Sequence, residues 1–288
     1  MIKKAIILCG GTGSRMFPLT HSINKQLLPI FDKPMFYYPL SLMMLCGIRE
    51  YIFVINKGQE QNFRKALGDH NDLGIKIEFV TQNNPKGLPD AFLITKELIK
   101  NQSIAMILGD NFFYGNMLSP LIKQTFKFKS GCNIYLYPSN KTSSYGVVEF
   151  NKKNNIKKII EKPKKTNSNL IITGLYVFDK KVSEFASKLK PSKRNELEIV
   201  DLINQYKTKL KITKLGRGSA WMDVGNFSDL QSASNFIQNI EQRQNYKIGC
   251  IEEIAFNNQW INRKKIIKRI KFCGNTDYSK YLKNLISN

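Results

Sequence analysis

Histidine is the first scarcity in this sequence of 288 residues, which holds only two, His21 and His70. Neither sits in a recognisable constellation, so zinc chemistry and histidine-base catalysis are not expected. Cys9, Cys46, Cys132, Cys250 and Cys273 are odd in number and widely spaced, with no Cys-x-x-Cys pair. That pattern gives neither a disulfide framework nor a zinc ribbon, and it points to a reduced, cytoplasmic protein. No apolar stretch reaches the roughly 18 residues of a membrane span. The start, Met1-Ile2-Lys3-Lys4, imitates a signal peptide, but the apolar run after it is short. It also ends in glycines and Arg15 rather than at a cleavage site. Repeats and low-complexity linkers are missing too, which fits one large α/β domain or one domain with an appendage.

Acidic residues are also few: 22 against 45 basic ones, a formal net charge of +23. Such a balance suits a nucleic-acid binder or an enzyme of anionic substrates. It equally suits lysines scattered over solvated faces, and here they are scattered. One cluster stands apart, Arg263-Lys264-Lys265-Ile266-Ile267-Lys268-Arg269-Ile270-Lys271. It predicts a surface helix with Ile266, Ile267 and Ile270 inward and a basic outer side. No helix-turn-helix, zinc or RNA-recognition signature accompanies it, so no nucleic acid is expected as a partner.

What is present begins at Ala5-Ile6-Ile7-Leu8, a buried strand by its apolar run, followed by Cys9-Gly10-Gly11-Thr12-Gly13-Ser14-Arg15. Glycines let the turn approach a ligand closely, and successive backbone N–H groups there form an anion site. Arg15 adds a charge that forks onto phosphate oxygens. The dinucleotide pattern fails because Met16 stands where its third glycine belongs, and no Gly-Lys-Ser/Thr follows for a P-loop. Taken alone, the stretch is either a polyphosphate loop or a tight connection without a ligand.

Further along, strands are expected at 51–55, 75–80 and 104–108, and helices at 37–46, 60–67 and 91–99. Alternation of this kind predicts parallel βαβ units in a doubly wound, Rossmann-like α/β sheet. Ligands then lie beyond the carboxyl ends of the strands, where the loops from Gly10, Gln82 and Gly109 start. Past Leu118 the texture changes to short strands, 132–137, 145–150, 156–160 and 171–178, forming an inserted β-rich half. Helices follow at 196–206 and 226–243, a strand at 210–215, and a helical tail. We divide the chain into a 1–240 domain (halves about 1–118 and 119–225) and a helical extension, 241–288.

Asp110 follows the strand 104–108 and so faces the crevice, where a carboxylate suits Mg²⁺. Asp223 in Trp221-Met222-Asp223-Val224-Gly225 is a second candidate. Either can instead be a turn or helix-capping aspartate. Glu161-Lys162-Pro163 is, by itself, ordinary turn chemistry. Glutamine offers a donor and an acceptor together, which suits a pyrimidine edge, so Gln26 and Gln82 are base-reading candidates with the backbone at Gly87.

The run Leu8 to Pro18, together with Lys25-Gln26-Leu27-Leu28-Pro29, resembles the signature of sugar-nucleotide pyrophosphorylases, and its form is similar to glucose-1-phosphate thymidylyltransferases. Cys9, Ser14 and Met16 are mild exchanges within it. The resemblance implies transfer of a nucleotidyl group from dTTP to glucose 1-phosphate, with Mg²⁺ on Asp110 and Asp223. It implies Leu8, Gly10, Gly11, Thr12, Gly13, Gln26, Gln82, Gly87 and Asp110 at the nucleotide. Gly146, Glu161, Lys162, Ile172 and Tyr176 would line the sugar site, and Arg15, Lys25 and Lys162 would be catalytic. A homo-oligomer, tetramer or dimer, is implied as well. Gly87-Leu88-Pro89-Asp90-Ala91 departs from the usual glycine-leucine-alanine-glutamine-alanine, which bears on the nucleobase.

Overall fold

A computed structural model describes residues 2–128 and 130–287. The chain forms two compact units. The first comprises Lys3–Thr81, Leu108–Phe113 and Met222–Asn288; the second comprises Met1–Ile2, Gln82–Ile107 and Tyr114–Trp221.

The first unit opens with β1 (Lys4–Cys9), β2 (Pro29–Ile30) and β3 (Lys33–Pro34), the last two a small antiparallel hairpin. Next come α1 (Tyr37–Leu45), β4 (Glu50–Asn56), α2 (Glu60–Leu67) and β5 (Lys76–Gln82). β1 and β4 pair in parallel, Ile6 opposite Ile52 and Ile7 opposite Phe53, and β5 continues the order. Both faces of β1 and β4 are covered, which is why their sequences run apolar without alternation. Every residue of α1 from Tyr37 to Met44 is buried. Phe36, just before it, packs on Phe53 and Phe63 with ring centroids 5.7 and 5.1 Å away.

The second unit carries α3 (Asp90–Ile94), β6 (Ile104–Leu108) but for its last residue, and α4 (Leu118–Thr125); most of β7 (Asn111–Gly115) belongs to the first unit. Four strands follow: β8 (Cys132–Pro138), β9 (Gly146–Phe150), β10 (Ile156–Glu161) and β11 (Leu170–Phe178). After α5 (Val182–Ser187) and α6 (Ile199–Asn204) come β12 (Leu210–Lys214) and β13 (Ser219–Asp223). β11 pairs antiparallel with β6, β8 and β9, while β12 runs parallel to β8. The α/β class is as expected, with parallel pairing behind the glycine loop and mainly antiparallel pairing in the inserted strands. The chain closes in the first unit with α7 (Phe227–Gln244), α8 (Ile251–Asn257), α9 (Arg263–Phe272) and α10 (Asp277–Ser287). Among the described residues, no helix is long and apolar enough to cross a membrane.

Three expected elements differ. The helix expected over 91–99 stops at Ile94, where Thr95 Oγ1 donates back to the Ala91 carbonyl at 2.6 Å and a 3-10 turn takes over. The helix expected over 196–206 starts only at Ile199, because Leu197 is bridged to Gly87 and Glu198 is extended. In the basic helix α9, Ile266 and Ile270 are inward as expected, but Ile267 is exposed and Arg269 is buried. Spacing of i, i+3 and i+4 from Ile266 selects Arg269 and Ile270, not Ile267. Arg269 reaches Glu252 Oε1 through Nη2 (2.6 Å) and Nε (3.1 Å), and Leu67 O through Nη1 (2.7 Å).

Removing one partner of such a buried pair strands the other charge. Arg269→Ala should therefore cost about 3–5 kcal/mol in urea unfolding. Lys264→Ala, on the exposed side of the same helix, should stay within about 0.5 kcal/mol.

Candidate active site

The glycine loop is held from below by a side chain that the sequence reading missed. Asn56, at the end of β4, accepts from Gly11 N–H (3.0 Å) and donates to Gly11 O (2.7 Å). Gly11 has φ +103°, open only to glycine at low cost. The next turn is fixed by Thr20 Oγ1 donating to Gly13 O at 2.9 Å. Gly10, Thr12 and Arg15 stand on the rim of this loop, with Thr12 and Arg15 exposed. The Arg15 guanidinium lies over Gly225, where an added Cβ would come within 2.9 Å of Nη2. Leu8 O accepts from Gly109 N–H at 2.9 Å, which sets the end of β1 beside the Asp110 turn.

Lys25 and Gln26 lie on a buried 3-10 turn opened by Asn24, whose side chain accepts from Gln26 N–H and donates to Cys9 O. Lys25 Nζ donates to Asp110 Oδ2, a partly buried ion pair. Burial alone would raise the Asp110 carboxyl, but the Lys25 charge and hydrogen bond outweigh it and hold the group below its ordinary value. Asn111 Nδ2 donates to the other oxygen at 3.0 Å. β7 pairs with β13, and Val224 N–H donates to Asp110 O at 2.9 Å. Asp223, adjacent to Val224, is thereby brought to the Asp110 backbone. Arg15, Lys25, Asp110 and Asp223 are thus gathered within the first unit. Gln26 Oε1 is buried there with no hydrogen-bond partner among the described residues.

The second unit gathers the sugar-side candidates. Glu161 lies opposite Gly146 in the β9–β10 register, and a Cβ on Gly146 would stand 3.6 Å from Glu161 Oε2 and 3.1 Å from Ile172 Cδ1. Lys162 leaves the strand at φ +42°, its N–H donating to Tyr145 O at 3.0 Å. Tyr176, further along β11, is buried and stacks on Phe178. Arg194 was not foreseen, having no motif around it. Its guanidinium is clasped by Glu198 (Nη2–Oε2 2.6 Å, Nε–Oε1 3.2 Å) and reaches Glu161 Oε1 at 3.5 Å. Glu161 Oε2 is buried and, among the described residues, has no hydrogen-bond partner. Of the base-reading candidates, Gln82 is buried at the end of β5, and Gly87 (φ +99°) forms its bridge to Leu197.

A strand-end glycine loop, a cation on a strand-end carboxylate and a separate carboxylate–cation cluster define a phosphate-handling α/β enzyme. The nucleotidyl transferase family profile matches residues 4–240, and the chain belongs to that family. It is 42% identical over 285 residues to the glucose-1-phosphate thymidylyltransferase of Neisseria gonorrhoeae, covering 98% of this chain and 99% of the relative. A crystal structure described as a glucose-1-phosphate thymidylyltransferase from Bacillus anthracis, in complex with a sucrose, superposes with TM-score 0.75 and 31% identity. That match covers 82% of this chain and 95% of the other. UDP-glucose pyrophosphorylase complexed with UDP-glucose gives TM-score 0.71 at 28% identity, over 83% of this chain and 100% of the other.

Burial, and then the Glu198 charge, push the Glu161 carboxyl above its ordinary value, and Lys162 and Arg194 offset this only in part. The folded protein therefore holds this proton at a pH where the unfolded chain, titrating at about 4.3, has lost it. Above that window the charge opposes folding. Glu161→Gln should raise Tm at pH 7.5, and the gain should vanish as the pH falls towards 4, measured by thermal unfolding across pH.

Proposed function

We propose that the chain transfers a thymidylyl group from dTTP to glucose 1-phosphate, giving dTDP-glucose and pyrophosphate. Full-length similarity to relatives of that name, joined to the grouping of Arg15, Lys25, Asp110 and Asp223, carries this reading. An oxygen of the sugar phosphate attacks the α-phosphorus in line. The new P–O bond forms as the bond to the β-phosphate breaks, and its electron pair leaves on pyrophosphate. The attacking oxygen is already anionic at neutral pH, so no general base is needed. Two anions must be brought together, and catalysis is positioning and charge neutralisation.

Each residue then has a task. The backbone from Gly10 to Gly13, with Arg15 and Lys25, holds the triphosphate. Leu8, Gln26, Gln82 and Gly87 receive the nucleoside. Glu161 accepts from sugar hydroxyls beside Gly146, Ile172 and Tyr176, and Lys162 holds the sugar phosphate. Arg194, pinned by Glu198, adds a second cation to that cluster. Two carboxylates on the same unit suit Mg²⁺, which binds through one or two carboxylates plus substrate phosphates. Asp110 and Asp223 would hold it, and when bound it neutralises charge on the phosphates. A cytoplasmic homo-oligomer, dimer or tetramer, completes the reading. UTP in place of dTTP is the second reading, favoured by the likeness to UDP-glucose pyrophosphorylase.

Pyrophosphate release across a grid of triphosphates and sugar 1-phosphates tests this. The largest kcat/KM should fall on dTTP with glucose 1-phosphate, and only with Mg²⁺. Silence across the grid from folded, metal-supplied protein would sink the enzyme reading. Asp110→Asn and Asp223→Asn should each lose about 3–4 kcal/mol of transition-state stabilisation, or 10²–10³ in kcat. A variant with near-normal turnover at saturating Mg²⁺ would mark its aspartate as structural.

Lys162→Ala should raise KM for the sugar phosphate more than for the nucleotide, and Lys25→Ala the reverse. Equilibrium titration of each substrate checks that KM reports binding. If Lys162→Ala weakened only the nucleotide, Lys162 would not be the sugar-phosphate anchor.

A further inference from the structure

Gln82 and Asp90 close the two ends of the turn that carries Gly87. Gln82 ends β5 and Asp90 opens α3; both are buried, 4% and 7% exposed. Gln82 Nε2 donates to Asp90 Oδ2 at 2.7 Å. The turn between them is braced from outside by Leu197, whose N–H donates to Lys86 O at 2.7 Å. A Cβ on Gly87 would fall 2.1 Å from Leu197 O, so the turn fits tightly against its brace. Asp90 N–H also donates to Gly87 O at 3.3 Å, tying the carboxylate residue to the same turn.

An ionised carboxylate only accepts hydrogen bonds, whereas a carboxamide can turn over and present either its oxygen or its NH₂. Facing Asp90, Gln82 has one sense open to it: NH₂ towards the carboxylate, Oε1 away. The opposite sense would set oxygen against oxygen in a buried place. We propose that Asp90 is a positioning residue for nucleobase choice, locking Gln82 Oε1 as an acceptor for the N3–H of thymine or uracil. Cytosine has an unprotonated N3 there and would meet acceptor with acceptor. Sites built to hydrogen-bond one pattern reject the unmatched analogue strongly, because buried polar groups are left unpaired. This inference rests on the reading that Gln82 faces the base. It concerns pyrimidines with N3–H against cytosine and leaves thymine against uracil to other contacts.

The test compares kcat/KM for dTTP and dCTP, with titrations of dTDP and dCDP, in the wild-type protein and in Asp90→Asn. Asparagine both donates and accepts, so Gln82 regains both senses. The dTTP:dCTP preference should fall at least ten-fold, while a merely structural role would lower both substrates together. Should Asp90→Asn not fold, Asp90→Ser also supplies a group that donates and accepts, and the same fall is expected. Wild-type protein that prefers dTTP, with a variant that keeps the ratio within two-fold, would overturn the role of Asp90 alone. Wild-type protein that neither binds dTDP nor uses dTTP would overturn the base-site reading beneath it.

Discussion

The Lys25–Asp110 ion pair is the constraint that ties together the lysine turn and the aspartate turn of the first unit. A carboxylate partly withdrawn from water at the end of a strand is favoured as the anion by a cationic partner, and Lys25 supplies one from a turn 85 residues away in sequence. Holding Lys25 there requires the Asn24 clasp on Cys9 O and on Gln26 N–H. The same clasp holds Gln26 buried, its Oε1 without a hydrogen-bond partner among the described residues. Gly109 leaves no room for a Cβ against Cys9 Sγ and Gln26 Cγ, at 2.7 and 2.9 Å. The glycine loop, the lysine turn and the aspartate turn are therefore one packed assembly.

Part of the large positive charge is used in the same way. Lys4 meets Glu50 and Glu78, Lys33 meets Glu241 and Asp32, and Arg269 meets Glu252. These cations are buried and act within the fold, a departure from the reading of the lysines as scattered over solvated faces. Replacing such pairs is hazardous one partner at a time, since the survivor keeps its desolvation cost.

The legible parts of the sequence were those set by local pattern. Strands covered on both faces show as continuous apolar runs, so Ala5–Leu8 and Tyr51–Ile55 could be read directly. The place of Asp110 in the fold was legible because it stands two residues past such a run, after Gly109. Asn56 was not read, although a polar residue closing the run before it was the available signal; its partner is 45 residues away. Arg194 depends on Glu161, 33 residues earlier, and on Glu198 in a segment whose helix is cut short by the Gly87 bridge. In α9 the error was to count every charge as outward. Arg269 turns inward because Glu252 and Leu67 O satisfy it there.

If the Asp110 carboxylate is the point where cation and triphosphate meet, its effect should appear in binding, before any turnover. The direct measurement is calorimetric titration of dTTP into wild-type protein and Asp110→Asn, each with and without Mg²⁺. Mg²⁺ should tighten dTTP at least ten-fold in the wild-type protein and by less than two-fold in the variant. An equal gain in both proteins would contradict the account, leaving Asp110 as a structural partner for Lys25.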